Sequence, residues 1–165
     1  MSLLEVDDLV VHYPVARGLV GTLTRQPRST VHAVDGVSFQ VGAGELVALV
    51  LVTHDLPVVA QLCDLGAVMY AGRIVESAGV DQLYHRPRHP YTRMLFAATP
   101  DLDDLEQPVA SIPGAPPRLD RPLVGCPFRP RCDSAFAPCE EHLPALLTLE
   151  DGGAAACHLD RIVPA

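Results

Sequence analysis

The order of hydrophobic and polar positions predicts three strands in the first third of the chain. Residues 3–13 form the first strand, in which an acidic start precedes three consecutive apolar side chains, and residues 32–41 form the second. A glycine-containing turn at residues 42–45 leads into residues 46–52, which are apolar without alternation. Such a run is typical of a strand buried on both faces in a parallel sheet.

Helical spacing and turn residues predict the elements that follow. Apolar side chains from position 56 to Cys63 recur at helical intervals, which predicts a short helix with Cys63 as an inert core residue. Residues 67–70 and 73–77 flank Ala71-Gly72, a predicted hairpin turn. A second helix is expected from Pro90 to residue 98. The proline-rich remainder is expected to be loop-like.

Composition limits the classes of function. The 165 residues suffice for one domain with a modest core, and the net charge of −8 argues against a surface for nucleic acid or anionic lipid. All 12 basic residues are arginine, so the chain contains no lysine. No apolar run approaches the roughly 18 residues of a membrane span, and residues 1–5 lack a signal-peptide pattern. We therefore expect a cytosolic chain with reduced thiols, in which five cysteines favour metal ligation over disulfides.

Four cysteines occupy the last forty residues, in a segment too short and polar to form a core of its own. They are Cys126, Cys132, Cys139 and Cys157, with 5, 6 and 17 residues between them. Without a Cys-x2-Cys pair they fit a standard zinc ribbon poorly. An iron–sulfur cluster tolerates irregular spacing, because each thiolate binds a different corner. A cluster, a zinc ion and metal-free thiols are three open interpretations.

Two arginines flank the second tail cysteine. Arg129 and Arg131 stand on either side of a proline just before Cys132. A neighbouring guanidinium lowers a thiol pKa, which would favour the thiolate. The alternative is that both arginines are solvated loop charges, and the sequence does not decide between the two.

Several motifs together resemble one family. The first block holds Ala33-Val-Asp-Gly-Val-Ser-Phe39 and Gly44-Glu-Leu-Val-Ala-Leu-Val50. The second block holds Gly72-Arg-Ile-Val-Glu76, His89-Pro-Tyr-Thr92, Ile112-Pro-Gly-Ala-Pro-Pro117 and the cysteine tail. The chain resembles the ATP-binding subunits of bacterial oligopeptide/dipeptide ABC transporters in both blocks. The second block is the more specific of the two.

The resemblance implies an α/β fold with two parts. Residues 1–79 would be a remnant of an ABC-type nucleotide-binding domain, and residues 80–165 a loop-rich C-terminal extension that carries the cysteines. Tyr13 matches the aromatic residue that stacks on adenine, although a strand tyrosine is commonly structural. His54 matches the switch histidine that contacts the γ-phosphate and helps to position water, although a lone histidine is commonly structural too. A four-iron four-sulfur cluster on the four cysteines is implied for some members.

The family's catalytic motifs are missing at the junction between residues 50 and 51. A phosphate-binding loop needs glycines whose amides cradle phosphates and a lysine that reaches the β- and γ-phosphates. Neither that glycine spacing nor any lysine is present. The glutamine loop, the Leu-Ser-Gly-Gly-Gln signature, and the Mg²⁺-binding aspartate with its catalytic glutamate are also missing. We expect a chain that does not hydrolyse ATP alone, although intact relatives use ATP and Mg²⁺.

The function implied by the resemblance is the energising of peptide uptake. Two transmembrane permease subunits and a second ATP-binding subunit would be the partners, at the cytoplasmic face of the cell membrane, with no nucleic acid and no membrane span in this chain. The alternative is a non-enzymatic iron–sulfur module that docks on a transporter partner. A third possibility is a product without a stable fold, which would melt without cooperativity.

Overall fold

The computed structural model describes residues 2–14, 30–44, 47–50, 63–99, 111–120 and 122–159. Sheet and helix are mixed in these residues, which confirms the predicted class at the level of secondary-structure content. His54, most of the predicted first helix and the second half of the residue 50–51 junction lie outside them. None of the helices described is long and apolar enough to cross a membrane.

The first two predicted strands form an antiparallel pair. β1 spans Ser2–Pro14 and β2 spans Thr30–Gly42, each extending only one or two residues beyond the predicted ends. Their register is interrupted at several points, one of them between Val11 and His12. Such irregularities turn side chains away from strict alternation between the two faces of a sheet.

A second sheet contains five strands in the order β3-β4-β5-β7-β6. β3 runs parallel to β4, as the unbroken apolar run predicted, and the other neighbours are antiparallel. Cys63, just before β4, is half-buried and lies outside both buried core clusters, so its predicted place in the core is wrong. The five strands are β3 Val47–Val50, β4 Leu65–Tyr70, β5 Arg73–Gly79, β6 Leu147–Thr148 and β7 Ala154–Ala155.

The β4–β5 hairpin turns at Ala71-Gly72, as predicted. Both residues have positive φ, 52° and 81°, which suits a two-residue turn whose twist matches the strands. A Cβ at Gly72 would lie 3.1 Å from the backbone carbonyl oxygens of His32 and Ala33. The turn therefore lies directly against β2, and the Asp35 amide donates to the Gly72 carbonyl oxygen at 2.9 Å.

Both faces of the hairpin are buried, which explains its apolar composition. On one face Val68, Tyr70 and Val75 form a core cluster with Leu83 and Phe128. On the other face the buried cluster consists of Val37, Ala67, Met69 and Ile74. Val37 belongs to β2 and Phe128 to the C-terminal segment. The hairpin therefore packs against both of these parts of the chain.

Helices follow β5 directly. α1, Val80–His85, starts where β5 ends and was not predicted. α2, Pro90–Ala97, confirms the helix predicted from Pro90, whose missing N–H costs nothing in the first turn. Its N-cap is His89, whose Nδ1 accepts from the Tyr91 amide at 3.0 Å.

The C-terminal segment is more structured than the predicted loop. It contains a 3₁₀ helix at Arg129–Arg131 and a one-turn helix, α3, at Pro138–Glu141. β6 and β7 add to the five-stranded sheet through pairing of β7 with β5. Most of the described residues there are loop, and β6 and β7 were not predicted because two-residue strands carry almost no local signal and form only where an existing edge supplies partners.

Candidate functional site: a four-cysteine cavity

The four tail cysteines, which lie up to thirty-one positions apart in sequence, meet at one small cavity of about 10 Å³. The prediction that these residues form one group is therefore consistent with their placement. All five cysteines of the chain are thiols rather than disulfides. The lining residues are His89, Pro90, Cys126, Phe128, Arg129, Cys132, Ser134, Cys139, Cys157, His158 and Leu159.

Consecutive tight turns place the first two cysteines. The Cys126 carbonyl oxygen accepts from the Arg129 amide at 3.1 Å, and the Arg129 carbonyl oxygen accepts from the Cys132 amide at 3.2 Å. Prolines at positions 127 and 130 fix φ within these turns and restrict the unfolded chain. The loop from Cys126 to Cys132 thus brings both residues to the wall of the same cavity.

Gly125 lets this loop approach the segment that carries the third cysteine. It has φ +70°, and a Cβ there would collide with the backbone carbonyl oxygens of Cys139 and Glu140. The Cys126 amide donates to the Cys139 carbonyl oxygen at 2.9 Å. This position needs glycine both for its left-handed backbone and for its lack of a side chain.

Separate elements position the remaining two cysteines. Cys139 is buried in α3, and its amide donates to the Phe136 carbonyl oxygen at 2.9 Å. Cys157 follows β7, where the Ala156 amide donates to the Val75 carbonyl oxygen at 2.8 Å. His158 is buried beside it, with Nε2 2.8 Å from the His142 carbonyl oxygen. The sheet therefore carries the last cysteine to the loop that holds the first two.

Burial dominates the electrostatics of the thiols. Burial raises the pKa of Cys126, partly opposed by the backbone amides of Phe128 and Arg129. Burial also raises the pKa of Cys132, partly opposed by the Ser134 amide. Both groups are neutral thiols in the ligand-free chain near neutral pH.

The two arginines that flank Cys132 do not lower its thiol pKa, as one of the two sequence interpretations had expected. Arg129 pairs with Glu140 at 2.6 Å. Arg131 donates to the carbonyl oxygens of Pro113 and Ile112 at 2.8 and 3.1 Å. Neither guanidinium is among the causes of the Cys132 pKa shift. Arg131 instead ties the segment around Ile112 to the tail, so neither of the two sequence interpretations describes it.

The donor set fits a metal or cluster in its chemistry, since four thiols and no carboxylate line the cavity. Around one zinc ion, thiolate sulfurs lie about 3.8 Å apart, because each Zn–S bond is about 2.3 Å. Among the described residues, the set of three or more ligand atoms within 4.8 Å of one another is His12, His32 and Asp35, not the cysteines. The thiols are thus spaced more widely than a zinc ion requires.

The void between the four thiols is small, which favours a single ion over a larger group. About 10 Å³ is the room that one water molecule needs. Rotation of the cysteine side chains about Cα–Cβ changes both the size of the void and the spacing of the sulfur atoms. What the site offers to a metal or a cluster is therefore its donor chemistry, four thiols brought together from separate elements.

Glu76 and His89 support the cavity, and neither was among the predicted site residues. Glu76 is 1% exposed, and its carboxylate oxygens accept from the amides of Arg88 and His89 at 2.7 and 2.8 Å. Burial lowers the pKa of His89 to about 4, with a smaller contribution from Arg93. The neutral His89 ring can therefore accept from Tyr91 while it lines the cavity. Both residues stand in motifs quoted for the family, which was the available signal.

A larger, mostly apolar cavity of about 440 Å³ adjoins the cysteine cavity and shares His89, Cys126 and Phe128 with it. Gly36 and Ser38 of β2 contribute to one side, and residues 143–146 to another. Its lining includes the polar side chains of Ser38, Arg73, His89 and Cys126.

Of the two residues expected to contact nucleotide, Tyr13 is not among the residues that line either cavity. Tyr13 lies near the end of β1 and is 60% exposed, so it is not the half-buried strand tyrosine of the structural alternative. It pairs in register with Val31, and its ring faces solvent. His54 lies outside the described residues. Their roles toward adenine and phosphate therefore stay predictions.

Comparison with known proteins shows what a part of the chain resembles. Residues 75–139 match the family model described as "Oligopeptide/dipeptide transporter, C-terminal region". A probable peptide ABC transporter ATP-binding protein of Sinorhizobium fredii is 50% identical over 111 residues, 67% of this chain and 33% of the relative. The dipeptide transport ATP-binding protein DppD of Escherichia coli is 44% identical over 115 residues, 69% of this chain and 35% of the relative.

A third relative is similar to this chain over a comparable length. The oligopeptide transport ATP-binding protein OppD of Haemophilus influenzae is 44% identical over 112 residues, 68% of this chain and 34% of the relative. The chain thus spans about a third of the length of the curated relatives it matches. These matches confirm the resemblance to peptide ABC transporter ATP-binding proteins that the motifs of the second block predicted.

Proposed function

We propose that this chain, whose residues 75–139 match an oligopeptide/dipeptide transporter C-terminal region, serves a peptide ABC importer and holds an iron–sulfur cluster at Cys126, Cys132, Cys139 and Cys157. The observation that carries the proposal is the meeting of these four thiols at one cavity. The family match ends at Cys139, and the fourth thiol, that of Cys157, lies just after β7, the strand that pairs with β5.

Coordination has a structural purpose here. The four cysteines stand on a turn, a 3₁₀ helix end, α3 and the end of β7, elements too short to be stable alone. A bound cluster supplies coordination bonds that cross-link these elements. The chain's own residues prepare the site, since Gly125 permits the close approach and Glu76 fixes the segment before α2.

The nucleotide chemistry is proposed to be lost from this chain acting alone. No lysine is available to reach phosphates, and the motifs that hold Mg²⁺ in intact relatives are absent from the sequence. Tyr13 keeps an exposed ring suited to stacking on adenine, and His54 keeps the sequence context of a switch histidine. Neither group supplies the charge that phosphoryl transfer needs.

The partners follow from the printed functions of the relatives, which are ATP-binding proteins for peptide transport. We propose an assembly with transmembrane permease subunits and a second ATP-binding subunit, at the cytoplasmic face of the cell membrane. The remnant of the nucleotide-binding domain would occupy residues 1–79 and the extension residues 80–165. Pairing of β5 with β7 crosses that boundary, which would couple the extension to the remnant.

Anaerobic reconstitution of the full chain with iron and sulfide tests the cluster. The expected product is brown and contains four iron and four sulfide per chain. Cys132→Ser should abolish the visible absorption, whereas Cys63→Ser, the same substitution at a half-buried thiol outside the cavity, should leave it unchanged. A product without sulfide whose bound zinc is lost on Cys132→Ser would replace the cluster with zinc, and a colourless product without such zinc would mean metal-free thiols.

A second candidate is a non-enzymatic iron–sulfur module that docks on a transporter partner. The missing phosphate-binding residues favour it. Equilibrium dialysis with labelled ATP separates the two proposals. Binding that Tyr13→Ala weakens supports a nucleotide-binding remnant, and no binding at millimolar ATP supports the docking module. Turnover that survives rigorous repurification would contradict both, because neither contains a phosphate-binding lysine.

A further inference from the structure

Two histidines and one carboxylate meet on the β1–β2 sheet, far in sequence from the cysteines. His12 Nε2 lies 3.5 Å from Asp35 Oδ1, and His32 Nδ1 lies 3.6 Å from the same oxygen. The three ligand atoms all lie within 4.8 Å of one another. The two imidazole rings are 3.8 Å apart between centroids, tilted by 40°.

From this geometry we propose that His12, His32 and Asp35 form a binding site for a divalent transition-metal ion, with zinc as the expected ion. Two neutral imidazoles and one carboxylate are a donor set that zinc accepts, with a fourth position left for water or another ligand. The proposal is independent of the tail cysteines and of the proposed transport function.

The spacing of the donors matches coordination better than hydrogen bonding. Ligand atoms about 2.0–2.2 Å from a tetrahedral zinc ion lie about 3.4 Å from one another. The separations of 3.5 and 3.6 Å agree with that edge. They exceed the usual 2.7–3.2 Å range of an N–H···O hydrogen bond, so the two imidazoles do not bind Asp35 strongly themselves.

The backbone holds the three residues in place. His12 and His32 are register partners on adjacent antiparallel strands. Asp35 lies three positions after His32, which in a regular strand would place it on the opposite face. The shift in register between Val11 and His12 relaxes that alternation. The amides of His32 and Asp35 donate to the carbonyl oxygens of Leu119 and Gly72, so β2 is fixed from outside the pair as well.

Arg73 binds one of the two oxygens of the Asp35 carboxylate and leaves the other for the imidazoles. Its Nη2 lies 2.6 Å from Oδ2, which leaves Oδ1 directed toward both imidazoles. Metal-binding carboxylates are commonly held by a hydrogen bond to the second oxygen in this way. The guanidinium charge opposes a cation, but it also keeps Asp35 ionised and oriented before the ion arrives. The side chains are 33%, 44% and 31% exposed, so an ion can enter from solvent.

Zinc titration of the full chain tests the proposal, with bound metal counted after dialysis. His12→Asn and His32→Asn should each lower the zinc content by one equivalent relative to the wild type. His85→Asn is the matched control, because His85 stands 3.6 Å from a single carboxylate, that of Asp81, in an exposed pair without a second histidine. It should leave the zinc content unchanged. An equal zinc content in all four proteins would overturn the proposal.

Cobalt separates this site from the cysteines by spectroscopy. Thiolate ligands give cobalt a strong near-ultraviolet charge-transfer band, whereas imidazole and carboxylate ligands give only visible d–d bands. We expect His32→Asn to lose visible intensity without loss of the thiolate band. Metal binding can also be followed without any substitution, from the histidine ring signals of the wild type in nitrogen-correlated NMR. On addition of zinc, His12 and His32 should shift and His85 should not; shifts at neither ring would mean an acid–base cluster without metal affinity.

Discussion

The Glu76 carboxylate accepts a hydrogen bond from the backbone amide of His89, with Oε2 2.8 Å from the nitrogen. Its other oxygen accepts from the Arg88 amide at 2.7 Å. Glu76 and His89 are buried, at 1% and 2% exposure, and the hydrogen bond between them bridges thirteen positions of sequence. One side chain of β5 thereby fixes the entrance to α2, and through His89 it supports a wall of the cysteine cavity.

Glu76→Ala should lower the free energy of unfolding by about 2–4 kcal/mol, since it removes the carboxylate acceptor of the buried His89 amide and of the partly buried Arg88 amide. Urea denaturation monitored by far-ultraviolet circular dichroism measures the change. Asp81→Asn, at an exposed acidic residue of α1, is the control and should cost less than about 0.5 kcal/mol. A loss for Glu76→Ala no larger than that of the control would show that water replaces the carboxylate.

Stability should fall in acid because His89 is held neutral. Its pKa is about 4 in the fold and about 6.5 in the unfolded chain, so the unfolded chain binds more protons between those values. Stability is therefore fully present above pH 6.5 and decreases as the pH falls toward 4, by about 3 kcal/mol in total. The measurement is the free energy of unfolding against pH.

His89→Asn isolates the contribution of this histidine. Asparagine keeps an N-cap acceptor for the Tyr91 amide and removes the titrating ring. The wild-type loss between pH 6.5 and 4 should exceed that of the variant by most of the 3 kcal/mol. His85→Asn, at an exposed position, should follow the wild-type curve. Parallel curves for wild type and His89→Asn would mean that the histidine titrates normally in the fold.

Phe128→Ala should be the most damaging of the core substitutions. Phe128 is 1% exposed and contacts the rings of Tyr70, Tyr91 and His89. Truncation of a buried phenylalanine costs about 3–5 kcal/mol through lost burial and a residual cavity. Thermal unfolding followed by circular dichroism provides the measurement. Val124→Ala, at a residue 80% exposed, should leave the midpoint within a degree or two; comparable shifts for both would place Phe128 outside the core.

Gly125→Ala should destabilise the tail through a steric collision. Gly152→Ala is its matched control, since Gly152 also has positive φ, at +85°, but a Cβ there meets open space. The control should cost about 1–2 kcal/mol for the left-handed backbone alone. Gly125→Ala should cost more, because its Cβ meets the carbonyl oxygens of Cys139 and Glu140. Equal losses in urea denaturation would show that the loop relaxes away from α3.

The sequence by itself determined the elements that depend on local chemistry. Apolar patterning placed β1, β2 and the parallel strand β3, whose described part is Val47–Val50. Ala71-Gly72 determined the hairpin, because that turn needs residues that tolerate positive φ. Pro90 marked the start of α2. The motifs around Glu76 and His89 predicted the resemblance that the family model over residues 75–139 confirms.

Only the tertiary structure decided which distant groups meet. β7 has two residues and no pattern of its own, yet its pairing with β5 carries Cys157 to the loop of Cys126. α1 depends on the burial of Val80 and Leu83 beneath the hairpin rather than on a marked helical signal. His12, His32 and Asp35 look unrelated in the sequence, and an irregular strand register brings them together. Local propensity acts over a few residues, whereas these contacts arise from the shared burial of segments far apart in the chain.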